Sequence, residues 1–125
     1  MEFDNNIPIY LQVINAIKRD MVNGVIALGE KLPSGRDLAF KYKINPNTAN
    51  RIYKEMEAEN VCFTKRGLGT YVTEDVDKLK KIREEMAGTL LDNFIEGMKQ
   101  LGFTKEELIQ LLEQKYDVNH KSWKT

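Results

Sequence analysis

Apolar residues recur at helical spacing through most of the chain and alternate only around a short glycine-bearing stretch near its middle. Ile9, Val13, Ile17 and Met21 fall four apart, with Tyr10 and Ile14 beside them. This stripe predicts an amphipathic helix over residues 8–23. Pro8 suits its first position and Gly24 its stop. "ALGEKLPSG" then reads as a connection. Ser34 is a good N-cap, with Asp37 three residues on in a capping-box-like pair. A short helix follows to Tyr42, burying Leu38, Ala39 and Tyr42.

After "KI", Asn45 is a second N-cap and Pro46 takes the first helical position, where its missing N–H leaves no gap. That helix runs to Glu59, and Asn60 suits the left-handed residue that ends it. At about 100° per residue, Ala49, Ile52, Tyr53 and Met56 share one face. Asn47, Asn50, Arg51 and Lys54 share the opposite one. "VCFTKRGLGTYV" follows, in which two β-prone runs, 61–64 and 70–72, flank "KRGLG" and predict a hairpin with a basic tip.

From Asp75 to Leu101 the spacing predicts one long helix. Leu79, Ile82, Met86, Leu90, Phe94, Met98 and Leu101 recur three or four apart, with Leu91 and Ile95 alongside. Gly88 and Gly97 interrupt it and Gly102 closes it. Thr104 and Glu107 form a capping box for a last helix, with Phe103 and Leu108 placed as a hydrophobic staple. That helix carries Leu108, Ile109, Leu111, Leu112 and Tyr116.

The expected fold is therefore mostly α with a small β-hairpin wing. It is a winged helix-turn-helix over residues 1–73, then a two-helix dimerisation region over 74–116 and a flexible tail over 117–125. The long apolar stripe exceeds what one short partner helix can cover, and an exposed stripe of this length marks an interface. A symmetric homodimer through Leu79, Ile82, Met86, Leu90, Phe94 and Met98 is expected.

Composition narrows the function. Among 125 residues, 19 Lys/Arg balance 19 Asp/Glu. No global basic signature for nucleic acid or anionic membrane is present. Residues 31–66 nevertheless hold eight basic against four acidic side chains. The lone Cys62 can form no disulfide within the chain, which fits a reducing cytoplasm. Its "VCF" setting marks it as a buried small hydrophobe. His120 is expected to be solvated. No zinc quartet, nucleophile–base pair or phosphate-binding glycine loop is found, so no cofactor, metal or enzymatic activity is expected. No apolar run reaches the ~20 residues of a membrane span, and no signal peptide opens the chain.

Helix, helix, short turn, helix and basic hairpin, in that order, make a helix-turn-helix with a wing. Its third helix needs an apolar face on its own domain and a polar face toward base edges, near its N-terminal end. Asparagine pairs bidentately with adenine and arginine with guanine. Lys54 is better placed for phosphate. A winged helix used only for protein–protein contact is the alternative, but an interface core is usually apolar.

"GEKLPSGRDLAFKYKINPNTANRIYKEMEAENVCFTKRGLGTYV" resembles the DNA-binding domain of GntR-type bacterial transcription regulators, over about residues 7–72. The "NPNT" helix start and the short C-terminal region look most like the YtrA subfamily, which dimerises through two helices after the winged helix. The resemblance implies a double-stranded DNA operator as partner, and control of the protein's own operon and neighbouring transporter genes. The expected DNA-binding set is Ser34, Arg36, Asn47, Thr48, Asn50, Arg51, Lys54, Lys65, Arg66 and Gly67. Gly35 replaces the usual glutamate, and Asn60 a common glycine. Pro46 and Asn50 stand where other branches carry DNA-reading arginines, so a different, A/T-weighted operator is expected. Many such regulators bind a small-molecule effector in a large C-terminal domain. The ~50 residues here are expected to be too few to enclose a typical pocket of ~300–1,000 Å³ within one subunit.

Overall fold

The computed structural model describes residues 1–119; the expectations for His120 and for tail residues 120–125 lie outside them, while residues 117–119 continue the last helix instead of opening the tail. Helix α1 spans Ile9–Val22, α2 Gly35–Tyr42 and α3 Pro46–Ala58. Strands β1 (Cys62–Lys65) and β2 (Gly69–Val72) follow, then α4 (Val76–Gln100) and α5 (Lys105–Asn119). The chain forms one compact unit from Met1 to Glu85 and a second from Met86 onward.

The stripe on α1 does bury Val13, Ile14, Ile17 and Met21. Ile9 is exposed, because it opens the helix before the stripe reaches the core. Leu38 and Ala39 of α2, and Ala49, Ile52 and Met56 of α3, complete the three-helix core. Val61, Cys62 and Val72 close it from the hairpin side, and Ile82 from the start of α4. Ahead of α1, the Gln12 carboxamide holds the leading segment. Its Nε2 donates to the Asp4 and Ile7 carbonyls at 2.7 and 2.8 Å, and its Oε1 accepts from the Asp4 amide at 2.8 Å.

The boundaries of α2 and α3 have local causes. The Ser34 hydroxyl accepts from the Asp37 amide at 3.1 Å. The Asn45 carboxamide accepts from the Asn47 amide at 2.8 Å, with Pro46 first in the helix. At the far end of α3, Asn60 is left-handed at φ 62. The Asn60 and Val61 amides donate to Glu57 and Met56 carbonyls at 3.0 and 2.9 Å, a Schellman ending with buried Val61 beside buried Met56. α2 ends the same way on Lys43, at φ 55, which the sequence did not announce.

β1 and β2 pair antiparallel, Cys62 with Val72 through Lys65 with Gly69. The three-residue loop between them has Gly67 at φ 79, and the Leu68 amide donates to the Lys65 carbonyl at 2.8 Å. A third extended segment, 29–32, lies along β2 and was not foreseen. The Leu32 and Val72 amides donate to the Thr70 and Glu30 carbonyls at 2.8 and 2.9 Å, and Lys31 bridges Tyr71.

Ile82 is 2% exposed within the single chain. It fills the core of the first unit. Leu79, also in the first unit, is half-buried.

In the second unit the chain turns at Gly102 (φ 82), where the Phe103 amide donates to the Met98 carbonyl at 3.1 Å. The capping box forms as expected. Glu107 N donates to Thr104 Oγ1 at 3.2 Å, and Thr104 N to Glu107 Oε1 at 3.0 Å. These hydrogen bonds hold the Glu107 carboxyl below its ordinary pKa. Among the described side chains beyond Ile82, none is fully buried. Leu90, Leu91, Phe94, Ile109 and Leu112 are all exposed. Leu91, Phe94, Ile95, Phe103, Leu108 and Leu112 line an apolar groove of about 380 Å³, concavity that the chain length did not promise.

Candidate nucleic-acid interface

Only Lys43, Ile44 and Asn45 separate α2 from α3. The left-handed Lys43 sends the Ile44 amide back to the Ala39 carbonyl at 2.9 Å, and Asn45 then caps the next helix. This tight turn sets α3 against α2 with Ala49, Ile52 and Met56 inward. Asn47, Asn50, Arg51 and Lys54 remain on the exposed side, as the helical spacing requires, while Thr48 is half-buried.

An open groove of about 950 Å³ runs between the start of α2, the outer side of α3 and the hairpin. Ser34, Asn50 and Lys54 line it, so three of the expected site residues meet there. Ser34 is occupied as the α2 cap. The Tyr53 hydroxyl donates to the Pro33 carbonyl at 2.5 Å, tying the "LPS" loop to α3. Burial raises the Tyr53 phenol well above its ordinary range, with smaller contributions from nearby groups, so it stays a donor.

Arg36, Asn47, Lys54 and Arg66 have exposed side chains with no hydrogen bond or ion pair to another described residue. They are free to meet a phosphate or a base edge. Arg51 is engaged differently. Its guanidinium carbon lies 3.8 Å from the Tyr10 ring centroid, and its Nε is 3.5 Å from Glu55 Oε1. It stacks on α1 while the side chain stays largely exposed.

The hairpin also divides its residues. Thr64 and Thr70 face the groove. Lys65 lies on the opposite face, 4.6 Å from the Tyr71 ring centroid, where Phe63 and Tyr71 stack at 5.9 Å. Arg66 and Gly67 form the exposed tip. Lys31, absent from the sequence-based set, lines the groove, and its Cε would lie 2.8 Å from a Cβ on Gly69. Only its strand-like pairing beside β2 places it there. The lining is not uniformly basic, since Glu30, Asp37 and Glu57 also border the groove.

The chemistry available is recognition. Burial pushes the Cys62 thiol up to about 12, so it carries no nucleophilic thiolate at neutral pH. Among the described residues no group of His, Cys, Asp and Glu is placed to hold a metal ion. No helix among them is long and apolar enough to cross a membrane.

Residues 9–72 match the model of the family described as bacterial regulatory proteins, gntR family. The HTH-type transcriptional regulator YhcF of Bacillus subtilis (strain 168) is 38% identical over 109 residues, covering 87% of this chain and 90% of that protein. The HTH-type transcriptional repressor YtrA of the same organism is 37% identical over 98 residues, covering 74% and 75%. A GntR family transcriptional regulator from Listeria monocytogenes superposes with a TM-score of 0.84 at 38% identity, over 90% of this chain and 98% of that one. These relatives are transcription regulators, and the chain is not an enzyme. With its winged helix matched in sequence and 90% of its length matched in fold, the chain belongs to the gntR family of bacterial transcriptional regulators.

Proposed function

We propose that this regulator is a homodimeric repressor that binds a pseudo-palindromic DNA operator through α3 and the wing. One observation carries the reading. The sharply capped start of α3 leaves Asn47, Asn50 and Lys54 exposed on one side, and Arg36 and Arg66 are exposed and unpaired among the described residues. Asparagines read adenine edges, while the cations neutralise phosphates. A repressor role is supported by the name of the YtrA relative. Its target would be its own operon and adjacent transporter genes.

The second unit supports the dimer. Exposed Leu90, Leu91, Phe94, Ile109 and Leu112 form an apolar surface on two helices with no buried core of their own among the described side chains. A second copy would cover it, and two-fold symmetry would space the half-sites about one helical turn or more apart. A pocket for a small-molecule effector would then lie between subunits.

A mobility-shift assay with the DNA upstream of the gene, against scrambled DNA at several salt concentrations, tests the reading. Saturable, sequence-dependent binding is expected. Asn50→Ala should relax sequence preference, and Lys54→Ala should weaken all sequences alike. Absence of saturable binding at low salt would leave a protein-interaction module as the better description.

A further inference from the structure

Gly35 is the first residue of α2, and its backbone does not ask for glycine. Its φ is not in the left-handed region, and helix propensity argues against glycine there. The reason lies across the groove. A Cβ on Gly35 would lie 2.7 Å from the Oδ1 of Asn50, closer than real Cβ atoms come to any heavy atom. The Asn50 carboxamide makes no hydrogen bond to another described residue. Its seat against the first turn of α2 is therefore steric, created by the missing side chain.

We propose that Gly35 is a positioning residue for Asn50 and so a determinant of which base Asn50 selects. The proposal rests on the DNA-recognition reading above. With glycine, the carboxamide lies low, against α2. Any Cβ at position 35 drives it away from that helix. The displaced group is the end of a flexible side chain, so the move costs the fold little. Recognition is less forgiving, since a bidentate amide–adenine pair needs its atoms placed within about 0.5 Å. A change at position 35 thus re-aims the Asn50 side chain without unfolding the domain.

The test uses the full-length chain as wild type, Gly35→Ala, Asn50→Ala and the double variant. Each is assayed for melting temperature and for binding sites selected from random DNA. Gly35→Ala should melt no lower than wild type. It should shift base preference by about tenfold at one position in each half-site. Affinity for non-specific DNA and its salt dependence should stay the same. In the Asn50→Ala background the same substitution should change no preference. A wild-type preference in Gly35→Ala, or a shift that persists without Asn50, overturns the proposal. Wild-type protein that selects no sequence sinks the DNA reading itself, a different result from a silent Gly35→Ala. The Asn50 side-chain amide resonance, measured without DNA, gives a second readout. It should move in Gly35→Ala, and an unmoved signal counts against the coupling.

Discussion

The Arg51 guanidinium lies 3.8 Å over the Tyr10 ring, joining α3 to α1. A stacked arginine of this exposure contributes about 0.5–1 kcal/mol. Tyr10→Leu keeps apolar bulk and removes most of the stacking. It should cost about that much in urea denaturation, and Arg51→Ala should cost a similar amount. The two losses should not add in the double variant, because they remove one contact. Full additivity would mean that the stack contributes nothing.

Among the described residues, two other than glycine hold left-handed backbone, Lys43 at φ 55 and Asn60 at φ 62. An ordinary L-residue is penalised there by about 1–2 kcal/mol, while asparagine tolerates it better. Lys43→Gly should therefore stabilise the fold by about 1 kcal/mol, and Asn60→Gly by less. Chemical denaturation of both variants would check the order, and a loss in either would show that the side chain does more than cap.

Cys62 is 3% exposed, and burial raises its thiol from 9.0 to about 12, with the nearby Glu57 adding to the effect. The folded state holds the proton more tightly than the unfolded chain. Its contribution is thus complete below pH 9.0 and declines as pH rises toward 12. Cys62→Val should flatten the alkaline fall in stability. Denaturation midpoints at pH 8 and pH 10 (taken about one unit to either side of the free thiol's range) would measure the difference between the two proteins.

Gly97 sits inside α4 with nothing within 4 Å of an added Cβ. Alanine should strengthen the helix by about 1 kcal/mol. Gly97→Ala is expected to raise the melting temperature and leave the sedimenting mass unchanged. A lower mass would place this glycine in the subunit contact. Leu90→Lys with Phe94→Lys should give monomers, and an unchanged mass would move the interface elsewhere.

The starts of the helices were legible because their causes are local. Ser34, Asn45 and Thr104 each bond an amide two or three residues ahead, and that pattern is visible in the string. Asn60 declared itself as a left-handed type, whereas a lysine at position 43 did not. Segment 29–32 stayed hidden because its partners are Thr70, Tyr71 and Val72, about forty residues away. The contacts of Arg51 and the burial of Ile82 were hidden for a related reason. Helical spacing assigns a face to each residue, but Tyr10 and the first unit's core decide what that face meets. The Gly35–Asn50 approach depends on how two helices pack and is likewise invisible in either segment alone.

The buried thiol has a practical consequence. Because the chain has a single cysteine, at the base of the wing, an alkylating reagent reaches it only when the winged helix opens. The rate of thiol trapping then follows the open fraction of the domain. Slower trapping in the presence of operator DNA would turn Cys62 into a built-in gauge of how strongly DNA binding and folding are linked.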